Sequence, residues 1–181
     1  MTARQNPPYL DTLAKFAADT RIEDISPAAR KRARLILADC VPVVAAGMQQ
    51  REMKLLVEKH MANAAPGKCW VIGAGKRAGA LDAALLNGTA GTWLELDEGN
   101  LFAKGHPGIQ VVPAAIAAAH ELGSRGSDLL AAVTLGYELS SRISRAANVH
   151  LSVHPHGTYG VIGAAIAVAK LKGLCPCRKR A

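Results

Sequence analysis

Two short stretches concentrate the groups that move protons and hold anions. The first is Glu95, Asp97, Glu98, Lys104 and His106, several carboxylates and an imidazole within a dozen residues. A carboxylate beside an imidazole can orient the ring and stabilise its charged form, the arrangement general acid–base chemistry needs. Trp93, Leu94, Leu96, Leu101 and Phe102 are interleaved with the charges. They are expected to desolvate some of the acids and raise their pKa towards a range useful for proton transfer. His106 stands between Gly105 and Pro107, where a constrained backbone can hold the ring still. The plain alternative is a solvated acidic helix end followed by a proline turn. The second stretch runs from His150 to Gly160 and carries His150, His154 and His156. Three histidines at such spacing could be metal ligands, but Pro155 and Gly157 make the segment a loop and no carboxylate adjoins them. Any carboxylate ligand would have to come from the acidic loop. The competing reading is a histidine acid or base at the mouth of the last helix, where N-terminal amides attract an anionic substrate. A capping loop with an exposed histidine is the remaining alternative.

Other motifs carry less. Gly73-Ala74-Gly75-Lys76-Arg77-Ala78-Gly79 follows an extended segment, with Glu95 about twenty residues on, as a dinucleotide fingerprint would want. Its third glycine comes one residue late, and no further strands follow to build a sheet. Trp70 and Arg77 occupy positions where a Walker loop needs Gly and Ser or Thr. The segment reads as a glycine turn between elements. No serine sits in a G-x-S-x-G elbow.

The elements that must position these residues read as helices. Tyr9, Leu10, Leu13, Phe16 and Ala17 recur at helical spacing. Ser26-Pro27 is an N-cap followed by proline at the first helical position. It opens a helix to Gly47, with an expected apolar stripe of Leu35, Ile36, Ala38, Val41 and Val44 and an expected kink at Pro42. Further helices are predicted over about 52–64, 78–93, 110–122, 127–146 and 160–172, with Cys69–Ile72 a short strand or extended segment. Without strand–helix alternation, the fold class is all-α, an Ala-rich multi-helix bundle.

Composition agrees. Half of the 181 residues are hydrophobic and only 4% aromatic, so the core is built from Ala, Val, Leu and Ile. The net charge of +8 invites a nucleic-acid reading, but five of the 22 cations lie in the last dozen residues, and without them the balance is +3. No aromatic residue accompanies them as a stacking platform, so no nucleic-acid partner is indicated. Cys40 and Cys69 read as buried reduced thiols. Cys175 and Cys177 lack a second Cys/His pair at zinc spacing, so no metal site is assigned. No signal peptide and no run long enough to span a bilayer appear, which makes no membrane partner and a cytoplasmic location the expectation. After the apolar helix ending at Leu174 the chain turns abruptly to CPCRKRA. Residues 175–181 therefore read as a basic tail, natural or frame-shifted, after a helical domain over 1–174.

Three segments occur in a distinctive order: ALLNGTAGTWLELDEGN, then GHPGIQVVPAAIAAAHELGSRGSDLLAAVTLGYELSSRI, then HPHGTYGVIGAAIAVAKLKGL. Together they closely resemble the helical domain of the MmgE/PrpD family, which includes 2-methylcitrate dehydratase, cis-aconitate decarboxylase and an iminodisuccinate epimerase. The resemblance implies a partial helical domain whose remaining helices, α/β lid and active-site lysines have no counterpart here, in an enzyme that is a homodimer and needs no metal or cofactor. It implies a small polycarboxylate substrate and proton transfer beside a carboxylate, by dehydration, decarboxylation or epimerisation. The family's acidic motif falls on Glu95 and Asp97, its His-Pro on His106-Pro107 and its second active-site histidine on His154. His106 and His154 are then the acid/base pair, with Asp97 or Glu95 orienting one of them. Lys104, Asn100 and His156 are the candidate substrate-binding residues, Asn100 standing in for a threonine. The acidic loop is one residue longer than the family's usual Asp-Asp-Thr pattern, so which acid takes the catalytic position stays open. The alternative from another class is a truncated, catalytically inactive helical remnant with only a structural or oligomeric role.

Overall fold

A computed structural model describes residues 7–148, 150 and 152–174. Seven helices are described: α1 Pro8–Asp19, α2 Pro27–Met48, α3 Arg51–Met61, α4 Ala80–Thr92, α5 Pro107–Leu122, α6 Gly126–Ala146 and α7 Tyr159–Leu171. Single 3-10 turns occupy Ile22–Asp24 and Pro155–Gly157. The all-α expectation holds. Cys175 and Cys177 lie outside the described residues.

Local chemistry sets the helix ends. The Ser26 hydroxyl accepts from the Ala29 amide at 3.2 Å, and Pro27 opens α2 with a φ already suited to the helix. Gly123, at φ 65°, ends α5 in the left-handed conformation. The helical assignment of α2 continues through Pro42 to Met48 rather than ending at Gly47.

The buried stripe of α2 differs from the expected one. It is Ala33, Ile36, Cys40, Val44, Gly47 and Met48, whereas Leu35 and Ala38 are exposed. A step of about 100° per residue separates Leu35 from Ile36 around the helix, and only the set repeating every three to four residues stays on one face.

Cys69–Val71 (β1) does form a strand, and it pairs antiparallel with Lys76–Ala78 (β2), a partner the sequence pattern did not reveal. Gly73 and Gly75, at φ 80° and 64°, make the turn between them. The buried Asn87 of α4 secures this hairpin: its Oδ1 accepts from the Ile72 amide at 2.8 Å and its Nδ2 donates to the Trp70 carbonyl at 2.9 Å.

The centre of the bundle is α5. Pro107, Gly108, Ile109, Val111, Val112, Pro113, Ala115 and Ala117–Ala119 are all buried, because α2, α4, α6 and α7 pack around it. Small residues permit a close crossing of α6 on α7. A Cβ on Gly163 would lie 2.7 Å from that of Ser140, and one on Gly136 would lie 2.6 Å from the Gly163 carbonyl oxygen. The loop before α5 and the loop before α7 are thereby brought to the same end of the bundle.

Cys40 and Cys69 are buried and free, as expected of reduced thiols. Burial, with Glu98 nearby, pushes the Cys40 thiol up to about 12, so it stays protonated and unreactive.

Candidate active site

The acidic loop is folded by its own polar side chains. Asn100 and Gly105 exchange backbone hydrogen bonds at 2.8 and 3.3 Å, closing a small cycle before α5. The Asn100 side chain accepts from the Ala103 amide and donates to Tyr137 Oη at 3.1 Å and Ser141 Oγ at 3.3 Å on α6. Ser144 Oγ donates to the Ala103 carbonyl. The Glu98 carboxylate accepts from the Gly108 amide in the first turn of α5, and from Tyr137 Oη at 3.0 Å. Burial pushes the Glu98 carboxyl up from its ordinary range, opposed by these two donors. The phenol of Tyr137 is raised by burial and by Glu98.

The source of desolvation differs from the expected one. Trp93, Leu96, Leu101 and Phe102 are exposed, Leu101 almost completely. The acids are shielded by α5 and α6, against which the loop folds; of the interleaved apolar residues only Leu94 is half-buried. Asp97 is buried and Glu98 half-buried, while Glu95 is exposed. Glu95 and Lys104 have φ of 52° and 53°, where a side chain costs about 1 kcal/mol relative to glycine. Two residues of the loop are thus held in a conformation their side chains disfavour.

His106 is the N-cap residue of α5. Its Nδ1 lies 2.9 Å from the Glu98 carbonyl and 3.3 Å from that of Asp97, so Nδ1 carries the hydrogen and neutral Nε2 keeps its lone pair. Asp97 Oδ2 stands 3.3 Å from the same Nδ1. The N–H is committed to the carbonyls, so this is charge proximity and not a hydrogen bond, and the buried Oδ2 has no hydrogen-bond partner among the described residues. An imidazolium at His106 would be stabilised by that carboxylate.

The histidine loop meets the acidic loop here. The rings of His106 and His156 have centroids 5.7 Å apart, and those of His154 and His156 4.5 Å apart, both edge to face. His154 is exposed; its Nδ1 accepts from the His156 amide at 3.3 Å, so its neutral form carries hydrogen on Nε2. Burial and the neighbouring His154 hold the His156 imidazole below its ordinary pKa. Tyr159 Oη donates to the Lys104 carbonyl at 3.1 Å, tying the first residue of α7 to the acidic loop. His150 instead engages Ser152. Among the described residues no group of three His, Cys, Asp or Glu side chains could hold a metal ion.

All seven candidate residues therefore lie on two loops in contact: Glu95, Asp97, Asn100, Lys104 and His106 on one, His154 and His156 on the other. Glu95 is on the same loop as Asp97 with its side chain exposed. Asn100 spends its amide on Tyr137, Ser141 and Ala103, which makes it a brace of the loop. Chemically, one imidazole offers a lone pair, another an N–H, and a buried carboxylate favours charge on the first. That set can take a proton and return one.

The sequence matches the MmgE/PrpD N-terminal domain over residues 11–177. The chain belongs to the MmgE/PrpD family. It is 28% identical over 173 residues to the cis-aconitate decarboxylase of Aspergillus terreus, an alignment covering 91% of this chain and 35% of that protein. A cis-aconitate decarboxylase-like protein, oryM, of Aspergillus oryzae (strain ATCC 42149 / RIB 40) is 34% identical over 122 residues, covering 61% of this chain and 25% of that protein. The chain spans about a third of the length of the first of these relatives. Among the described residues no helix is long and apolar enough to cross a membrane.

The pattern missed Tyr137, Ser141 and Ser144. They recur at i, i+4 and i+7 on α6 between apolar residues, so a polar stripe inside an otherwise apolar helix face was the available signal.

Proposed function

We propose that this chain forms the helical part of an enzyme that moves a proton beside a carboxylate of a small polycarboxylic acid, in a dehydratase, decarboxylase or epimerase type of reaction. The observation that carries the reading is the cluster of the His106, His156 and His154 rings beside the buried Asp97 carboxylate. His106 Nε2 is the base, since its Nδ1 hydrogen is held by the Glu98 carbonyl. Asp97 stabilises the imidazolium that results. His154, with hydrogen on Nε2, donates to the group that gains charge. Lys104 and the amides opening α7 supply attraction for substrate carboxylates. No metal or cofactor enters this scheme. The proposal extends to a cytoplasmic homodimer or higher homo-oligomer; the exposed Leu35, Leu101 and Phe102 at the loop's edge support association.

The test uses cis-aconitate, named for the relatives, with the 181-residue chain and the His106→Ala and His154→Ala variants. Ligand-induced shifts of the imidazole resonances report binding, and loss of CO2 or uptake of deuterium from solvent reports turnover. Each substitution is expected to abolish turnover, or the imidazole response, and His154→Ala, at an exposed position, to do so at an unchanged melting temperature. A His154→Ala protein behaving as wild type would refute the assignment.

A further inference from the structure

A neutral histidine acts as a base through whichever ring nitrogen lacks the hydrogen, and the partner of the other nitrogen decides which that is. For His106 the nearest partner is the main-chain carbonyl of Glu98, 2.9 Å from Nδ1, with the Asp97 carbonyl farther off at 3.3 Å. A carbonyl can fix a tautomer only while it is itself held in place. The side chain of the same residue does the holding. The Glu98 carboxylate accepts from the Gly108 amide, two residues beyond His106, and from Tyr137 Oη on α6 at 3.0 Å. One residue therefore grips the first turn of α5 with its carboxylate and the N-cap ring of that turn with its backbone.

The seat of this carboxylate is shaped to it. A Cβ on Gly108 would lie 2.5 Å from Glu98 Oε1 and 2.8 Å from its Cγ, so a larger residue there would displace the side chain. Glu98 also borders a cleft of about 860 Å³ with Arg32, Asp39 and Tyr137, and none of His106, His154 and His156 lines that cleft. Its carboxylate is occupied by α5 and α6, which leaves it no part in passing protons between the rings.

We infer that Glu98 is the positioning residue of His106. The hydrogen bonds from Gly108 and Tyr137 fix its carbonyl, and that carbonyl keeps the His106 hydrogen on Nδ1 and the lone pair on Nε2. The inference rests on the reading of His106 as the base. It divides the work of the acidic loop: Asp97, with Oδ2 3.3 Å from Nδ1, supplies charge, and Glu98 supplies placement.

Nitrogen-15 NMR of the imidazoles in the 181-residue chain, at a pH of about 8 where an ordinary histidine is neutral, reads the tautomer directly. The wild type should show a fixed Nδ1–H ring at His106. Glu98→Gln keeps an oxygen for the Gly108 amide and a polar group for Tyr137, and should keep that tautomer. Glu98→Ala empties the seat and Gly108→Ala blocks it. Both should give the averaged shifts of exchanging tautomers, which a residue that only stabilised the fold would not cause. Turnover of cis-aconitate should follow the same order, with kcat falling up to about 100-fold in the two alanine variants and KM little changed. An Nε2–H ring in the wild type overturns the inference. A ring that keeps its Nδ1 hydrogen in both folded alanine variants assigns the tautomer to Asp97 and overturns it too. So does a Glu98→Gln protein as altered as Glu98→Ala, because charge and not hydrogen bonding would then be the agent. If the wild type turns nothing over, the reading of His106 as the base falls, and the tautomer series still decides whether Glu98 holds the ring.

Discussion

His156 shows how one residue can couple site chemistry to stability. Its ring is half-buried, with His154 and His106 around it and the acids Asp97 and Glu95 acting in the opposite sense. The net effect lowers its pKa in the folded state. Below the ordinary histidine value of about 6.5 the unfolded chain therefore binds a proton that the folded chain refuses. Folding stability contributed by this residue should be fully present above that value and fall as pH drops through it. Urea unfolding at pH 7.5 and 5.5 is expected to show the loss, and His156→Asn should flatten that part of the profile. An unaltered pH dependence in the variant would locate the effect elsewhere. At this scale the pattern of residue types was a good guide: acids and histidines stood out because nothing else in an Ala-rich chain resembles them. Their environments were not readable. Glu95 and Asp97 are two residues apart, yet one is exposed and the other buried. What divides them is the face each turns to α5 and α6, and the order of residue types along the loop does not reveal that face.

At the scale of the element, α7 positions the histidine loop and does so through contact at close range with α6. Gly163 sits against Ser140 and the Gly136 carbonyl, so Gly163→Ala must push the helices apart. The helix propensity gained by alanine is worth about 1 kcal/mol. The overpacking should outweigh it and leave a net destabilisation of about 1–2 kcal/mol, measurable as a lowered denaturant midpoint at unchanged slope. A variant as stable as wild type would show that the crossing has slack. Helix existence was legible along the whole chain. Predicted and observed ends of α4 to α7 agree within about three residues, because capping and periodicity are local signals. The α2 stripe was misread for a related reason: with so many apolar positions, more than one face of that helix looked burial-worthy, and only its neighbours α4, α5 and α6 select among them.

At the scale of the molecule, the site is a junction of two loops, and its integrity depends on a polar brace reaching from α6. Tyr137 links Glu98 and Asn100, and Asn100 links the loop to Ser141. Tyr137→Phe removes the hydroxyl and leaves a half-buried carboxylate oxygen and an amide each short of a partner. Amide hydrogen exchange should accelerate over residues 94–106 while the buried centre of α5 keeps its protection. Unfolding stability should drop by about 1–3 kcal/mol. Uniform acceleration across the bundle would mean that Tyr137 supports the core and not the loop.

Read alone, the chain's amino acids already determined a helical bundle, its caps and turns, two reactive loops and membership of a recognisable family, since each depends on local propensity or on residues close in sequence. Tertiary structure alone decided that the two loops touch, that α5 and α6 do the shielding and that Asn100 serves as a brace. Most of those outcomes arise from contacts between different elements, such as Asn100 with Ser141 on α6, and periodicity along a single helix carries no information about which neighbour it will meet.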